Sequence, residues 1–166
     1  MGKPEQILVE IRRDPIAPVS DSALSSLIGY NLKRSFNGIY LDLAEVLRPL
    51  GLRMITFTIL TMLKENPGIR LSNLAVAIDM EKPNMVSVID ELSSRALVLR
   101  SADPHDRRAR QLHLTAAGEA LQRQAYEQVC EHEERFLQHL DGDERAQLVA
   151  LLSKIRRGIG QEPKPL

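Results

Sequence analysis

The chain is poor in cysteine, has no excess charge of either sign and contains no long hydrophobic run. One cysteine in 166 residues excludes an intramolecular disulfide framework and any multi-cysteine metal site. Lys and Arg total 22 and Asp and Glu total 22, for a formal net charge of zero. That argues against bulk coating of nucleic acid but leaves room for a local basic surface. No stretch approaches the roughly 20 consecutive apolar residues of a membrane span. The apolar cluster Ile7-Leu8-Val9 is short and lies between Glu5 and Glu10, so no membrane association is expected. The opening MGKPEQ has neither an apolar core nor a small-residue cleavage site. No secretory signal is therefore expected, and the cytoplasm is the expected compartment. There are no internal repeats.

What is present suits one globular domain with arms. Hydrophobic residues make up 43% and charged residues 27%, which excludes a disordered chain. Residues 1–20 read as an arm, because Pro4, Pro15 and Pro18 break any helical period. Its Ile7, Leu8, Val9 and Ile11 are able to embrace a partner subunit. From Asp21, a fair N-cap, apolar residues recur at steps of three and four through Leu24, Ile28, Leu32, Phe36, Ile39, Leu43 and Leu47. This predicts one long amphipathic helix over residues 21–50, on the order of 40 Å long and suited to a strut shared between chains. Helices follow at about Met54–Glu65, Leu71–Ile78 and Pro83–Arg95, the first stopped by Asn66-Pro67-Gly68. The last two, joined by a short break, form a helix-turn-helix pattern, and Met85, Val88, Ile89 and Leu92 mark the buried face of the second. Strands are predicted over 97–101 and 111–114, around a polar hairpin loop. Thr115 caps a second long helix to about Leu140, with Ala117, Leu121, Ala125, Val129, Phe136, Leu137 and Leu140 as its apolar stripe. Asp141 and Glu144 have the spacing of a capping box for a last helix bearing Leu148, Leu151, Leu152 and Ile155. Residues 159–166 read as a flexible tail. The fold class is mainly α with a small β-hairpin wing (α+β).

Charge is segregated along this chain. Residues 95–115 hold Arg95, Arg100, Arg107, Arg108 and Arg110 against Asp103 and Asp106, a net of +3. Residues 116–145 hold eight acids against three arginines, a net of −5. A basic hairpin directly after a helix-turn-helix is what a winged DNA reader requires. One helix enters the major groove, and the wing reaches an adjacent minor groove, whose negative potential attracts arginine. Asp106, two residues before Arg108, is placed to orient its guanidinium fork.

The stretches Gly51-Leu52, Asn66-Pro67-Gly68 and Asp103-Pro104-His105-Asp106-Arg107-Arg108-Ala109-Arg110-Gln111-Leu112-His113-Leu114-Thr115-Ala116-Ala117-Gly118 resemble the multiple antibiotic resistance regulator (MarR) family. Asp106-x-Arg108 to Leu114-Thr115 matches that family's wing signature. The resemblance spans about Leu24 to Arg157, with elements in the family's order. It implies a winged helix-turn-helix homodimer, with dimerisation helices at about 21–50 and 116–158 and a DNA-binding lobe at about 53–115. It also implies a pseudo-palindromic double-stranded operator and repression relieved by a small aromatic or anionic effector. Departures are Arg53 and Arg70, where the family often has Thr, Ser87, where it commonly has Arg, and Ala96, where it commonly has Gly. They leave the fold intact but put the base-contact set in doubt.

The candidate DNA-contacting residues are Lys82, Pro83, Asn84 and Ser87 at the start of the recognition helix, where Asn pairs adenine and Lys favours guanine or phosphate. Ser72 and Asn73 are candidates for phosphate contact at a helix N-terminus. Arg95, Arg100 and Arg110 are phosphate candidates, Arg95 being equally able to pair within the fold. Asp106, Arg107 and Arg108 belong to the wing.

The family's effector cleft lies between the first, second and fifth helices and the DNA-binding lobe. Mapped here, it offers Tyr30, Arg34, Asn37 and Tyr40 from the first helix. The second offers Phe57 and Met62, with Met54 and Thr58. Aromatic and methionine walls with one arginine suit an aromatic carboxylate or its thioester; Phe57 and Met62 also suit a core. Cys130, beside Val129, is expected to be a buried, inert thiol, with a redox-responsive regulator as the alternative. Cys130 and His132 point about 200° apart on a helix, which disfavours a zinc site. No cofactor is expected. No phosphate loop, nucleophile elbow or HExxH pair is present, so an enzyme is not expected. A winged-helix adaptor that does not bind DNA is the remaining class.

Overall fold

A computed structural model describes residues 20–103 and 110–159. The expected arm, apart from Ser20, the residues 104–109 and the tail from 160 onward lie outside the described residues. The chain divides into two compact units, residues 1–37 and 38–166.

In the first unit, residues 22–26 form turns, and α1 (Ile28–Leu47) begins only at Ile28. This corrects the expected helix start at Asp21. The Asp21 carbonyl accepts from the Leu24 and Ser25 amides, while its carboxylate accepts from the Tyr30 hydroxyl at 2.5 Å. The carboxylate is thus committed to a side chain rather than to a helix cap. Twenty residues of α1 span about 30 Å rather than 40 Å.

In the second unit, Pro49 lies in a short 3-10 turn over Arg48–Leu50. There follow α2 (Met54–Glu65), β1 (Ile69–Arg70), α3 (Leu71–Ala77), α4 (Lys82–Ser94), β2 (Val98–Ala102), β3 (Arg110–Leu114), α5 (Ala116–Phe136) and α6 (Gly142–Ile159). The sheet is antiparallel in the order β1-β3-β2. Ala102 faces Arg110 at the end of the β2–β3 ladder. The two-residue β1 was not foreseen, because two residues carry no period to detect. Its pairing of Ile69 with Leu112 exists only once β3 is in place.

Three chain reversals share one device. After Leu50, after α3 and after α4, a residue adopts the left-handed conformation: Gly51 (φ 62), Asp79 (φ 53) and Ala96 (φ 56). In each case the next amide reaches back five residues, Leu52 to Leu47, Met80 to Ala75 and Leu97 to Leu92. This is the Schellman closure, which satisfies orphan carbonyls and favours glycine at the left-handed residue. Only the first position has it. Ala96 therefore carries the left-handed cost of a side chain, roughly 1–2 kcal/mol.

The core joins Leu43 and Leu47 of α1, Ile59, Leu60 and Leu63 of α2, Leu74 of α3, Met85, Ile89 and Leu92 of α4, and Leu112 of β3. Of the expected buried face of α4, Val88 is only partly buried and packs against this core. The buried residues of α5 are Gly118, Gln122, Ala125 and His132. The expected stripe holds in part: Ala125 is buried and Leu121 and Val129 pack against the core, but Ala117 is exposed and Phe136 is 39% exposed. The helix presents its small and polar edge to α2, and the Gln122 amide reaches Thr61 Oγ1 at 3.4 Å. It ends at Phe136, four residues before the expected end at Leu140. Arg145 closes the junction that follows, donating to the Leu137 and Leu140 carbonyls. The Asp141–Glu144 capping box forms as expected, with both hydrogen bonds at 2.9 Å.

The wing is fastened to α5 at one point. Thr115 Oγ1 accepts from the Gly118 amide at 2.9 Å and donates to the Ala96 carbonyl at 2.7 Å. The Thr115 amide donates to the Leu97 carbonyl. Gly118 passes so close to that carbonyl that a Cβ would lie 2.1 Å from its oxygen. Gly118→Ala is expected to destabilise the protein by about 2–3 kcal/mol through forced displacement. Ala96→Gly is expected to stabilise it by roughly 0.5–1 kcal/mol, the left-handed cost less glycine's entropy. Urea melts of both variants check this pair; equal midpoints would refute the junction as described.

Candidate nucleic-acid interface

The helix-turn-helix is α3 and α4, joined by the closure at Asp79. The α4 helix turns Met85, Ile89 and Leu92 inward. Lys82, Pro83, Asn84, Val86, Ser87 and Asp90 are left exposed. Lys82 and Pro83 are the first two helical residues, where the fixed φ of proline suits the first turn. The candidate base-reading residues thus share one solvent-facing end of α4. On α3, Ser72 and Asn73 are exposed, and the Ser72 hydroxyl lies 3.3 Å from Asn73 Oδ1. Val76, on the same helix, is 82% exposed.

The arginines divide by what they bind. Arg95 Nη1 donates to the Gly51 carbonyl at 2.8 Å and lies 4.0 Å from Glu91, so it ties α4 to the turn before α2. Arg100 of β2 is ion-paired with Asp90 of α4, a partner the sequence did not suggest. Asp90 is ten residues away in sequence but reaches Arg100 once β2 packs on α4. The pair neutralises a carboxylate on the exposed face of the recognition helix. Arg110 opens β3 and is exposed. Asp106, Arg107 and Arg108 lie outside the described residues. The two departures at helix starts have partners. Arg53 pairs with Glu91, and Thr56 Oγ1 bonds both the Arg53 amide and the Arg53 carbonyl at 2.8 Å. Arg70 pairs with Asp103.

The candidate effector residues are dispersed. In the first unit, the Arg34 guanidinium stands 5.9 Å from the Tyr30 ring centroid, and Asn37 is exposed. The hydrogen bond to Asp21 raises the Tyr30 phenol above its ordinary pKa. In the second unit, Tyr40 lines a cavity of about 390 Å³ with Arg53, Met54, Ile55, Thr58 and Ile78. It also lines one of about 370 Å³ reached by Arg48, Arg53 and Met54. Phe57 and Met62 instead pack against the core. Sequence reasoning missed Arg48, Arg53, Ile55 and Ile78 among the lining residues. Arg48 follows Tyr40 along the same stretch of chain, whereas Arg53 comes beside it across the turn at Gly51.

Cys130 is exposed, which corrects the expectation of a buried thiol. The buried edge of α5 runs through Ala125 and His132, and Cys130 points about 200° from His132. His132 is itself 2% exposed, with Nε2 2.9 Å from the Asp42 carboxylate. The contact lies within ion-pair distance but lacks hydrogen-bond alignment. Among the described residues, no group of three or more His, Cys, Asp or Glu is arranged to hold a metal ion. No single described helix is long and apolar enough to cross a membrane.

A helix-turn-helix backed by a core, with an antiparallel sheet beside it and an exposed polar end on α4, defines a winged helix-turn-helix protein. A MarR family model matches residues 52–109. A putative transcriptional regulatory protein for the hcr operon of Thauera aromatica is 26% identical over 149 residues, 89% of this chain and 90% of that protein. The transcriptional repressor CouR bound to a 23-mer DNA duplex superposes with a TM-score of 0.80 at 33% identity, covering 84% of this chain and 99% of that one. The same repressor bound to p-coumaroyl-CoA gives a TM-score of 0.75 at 32% identity, over 84% of this chain and 99% of that one. A MarR-family regulator from Rhodococcus sp. RHA1 gives a TM-score of 0.75 at 27% identity, over 81% and 95%. This chain belongs to the MarR family of DNA-binding transcriptional regulators.

Because Arg95 is engaged within the fold, Arg95→Met is expected to lower stability by about 1 kcal/mol. The slope of DNA affinity against salt should stay unchanged. Urea melts with anisotropy titrations at several salt concentrations check this; a slope shallower by about one unit would make Arg95 a phosphate contact.

Proposed function

We propose that the chain is a homodimeric cytoplasmic repressor that binds a pseudo-palindromic operator and is released by an aromatic acid or its thioester. The observation that carries the DNA-reading part is the exposed end of α4. Lys82, Asn84 and Ser87 project from a helix whose opposite face is fixed by Met85, Ile89 and Leu92. Two such helices from a dimer would enter successive major grooves, about 34–36 Å apart. Arg108, oriented by Asp106, would enter the flanking minor groove. Exposed apolar residues on the terminal helices support the dimer. Leu32, Phe36 and Leu41 of α1 and Leu148, Val149, Leu151 and Leu152 of α6 are all exposed in the single chain. Exposed apolar side chains in this number are costly to leave in water on a monomer.

The effector part rests on the two cavities beside Tyr40 and on CouR, a relative with bound p-coumaroyl-CoA. An aromatic ring would lie among Tyr40, Met54 and Ile55, and anionic groups would compete with Glu45 and Glu91 for Arg48 and Arg53. Ligand releases DNA only if it binds the two lobe arrangements with different affinity.

Fluorescence anisotropy on duplexes tiled from the protein's own promoter region tests this reading. The expected result is sequence-selective binding that weakens steeply with salt. Binding to no duplex, there or in a genome-wide selection, would favour the adaptor class. Arg108→Ala is expected to weaken operator binding at least tenfold while dimer size and circular dichroism stay normal. Tyr40→Ala is expected to leave DNA affinity within about twofold but to raise the thioester concentration needed for release at least tenfold. Unchanged release would remove Tyr40 from the effector site.

A further inference from the structure

The first aspartate of the basic segment, Asp103, has an unexpected place. Asp103 follows β2 and directly precedes the stretch that carries Asp106, Arg107 and Arg108. It is 5% exposed, one of four buried polar or charged residues among those described. Its carboxylate accepts from Arg70 Nε at 2.7 Å. Arg70 sits at two junctions at once. It is the last residue of β1 and the residue from which α3 begins. In the sheet, β1 and β2 are the outer strands, separated by β3. The Arg70–Asp103 pair therefore reaches over the middle strand and links the end of β2 to the first residue of the helix-turn-helix.

A buried carboxylate is costly unless a cation and hydrogen bonds hold it. The carboxylate is almost wholly removed from water, at 3% side-chain exposure, whereas the arginine keeps 40%. The arrangement favours one position of Asp103, with its oxygen against the guanidinium. The ladder between β2 and β3 ends at Ala102 and Arg110, so the pair acts one residue beyond the last strand pairing.

We propose that Arg70 and Asp103 are a positioning pair, which fixes the root of the wing against the helix-turn-helix so that the wing and the exposed end of α4 meet one duplex together. This inference rests on the DNA-reading function proposed above. It gives Asp103 a role opposite in sign to its charge. A carboxylate near phosphates opposes DNA binding by simple electrostatics. As an anchor for the wing it promotes binding.

That sign makes the test sharp. Operator affinity is measured by anisotropy for wild type, Asp103→Asn, Arg70→Gln and the double variant, with urea melts and dimer size recorded for each. If the pair positions the wing, Asp103→Asn weakens binding about tenfold even though it removes a negative charge. Arg70→Gln weakens it by a similar factor, and the double variant is no weaker than either single one. Arg70→Lys, which keeps the charge but loses the planar fork, recovers only part of the affinity. Tighter binding by Asp103→Asn overturns the proposal, because plain electrostatics then suffices. Independent, multiplying losses also overturn it, since Arg70 would then be a phosphate contact in its own right. Where Asp103→Asn fails to fold, Arg70→Gln decides alone, and affinity within twofold of wild type overturns the proposal. A wild-type protein that binds no duplex sinks the DNA-reading function and this inference with it, whereas normal wild-type binding with insensitive variants sinks only the inference.

Discussion

The contact on which the rest of the second unit depends is the one that Thr115 and Gly118 make with the turn at Ala96 and Leu97, both of which offer their carbonyls. Here α4 ends, β2 begins, β3 ends and α5 starts within a few residues of one another in space. The Leu97 amide closes α4 on Leu92, while the Leu97 carbonyl accepts from Thr115. The Thr115 hydroxyl caps α5 and holds the Ala96 carbonyl. Only a residue without a side chain fits at Gly118. One set of hydrogen bonds thus sets the direction of the recognition helix, the plane of the sheet and the departure of the helix beyond it. A close backbone crossing of this kind leaves little room for adjustment, since a polar group that loses its partner there has no ready replacement.

From that junction outward, the arginines fall into two sets. Arg53, Arg70, Arg95 and Arg100 are committed to Glu91, Asp103, the Gly51 carbonyl and Asp90. The Arg53–Glu91 and Arg100–Asp90 pairs are exposed and contribute little to stability one at a time. The combined effect of all four contacts is geometric: they lace β1, β2 and the turn before α2 to the helix-turn-helix. Arg110 is exposed, and Arg107 and Arg108 lie in the segment between the strands. Of the five arginines in residues 95–115, Arg95 and Arg100 therefore have partners inside the fold. Folding has sorted a basic sequence into braces and candidate contacts.

The two cavities proposed to take the effector meet at the turn between α1 and α2. Tyr40 comes from α1, Met54 and Thr58 from α2, and Arg48 and Arg53 from either side of Gly51. Bending the chain at Gly51, the one Schellman closure with a glycine in the left-handed position, brings these residues around a shared space. Phe57 and Met62 are chemically just as suited to a ligand, but they are taken up by the core.

The order of elements, the helix-turn-helix, the wing strands, the Thr115 cap and the Asp141–Glu144 capping box were all legible in the sequence. Each rests on local chemistry: a repeat of 3.6 or 2, a hydroxyl or carboxylate at a cap, a proline or glycine at a break. Sequence alone also identified Lys82, Asn84 and Ser87 as the exposed start of α4, because periodicity fixes which face Met85 and Ile89 must bury. Tertiary structure decided what depends on distant partners. It placed Asp103 against Arg70 and Arg100 against Asp90, and gave Ile69–Arg70 a strand to pair with. It turned Gln122 and His132 inward beside Leu121, and left Phe136 and Cys130 exposed. Asp21 does not cap the helix, and its carboxylate accepts instead from Tyr30, nine residues away. A pattern of apolar residues states which face is buried against something; only the packed chain states which cation a given carboxylate will meet.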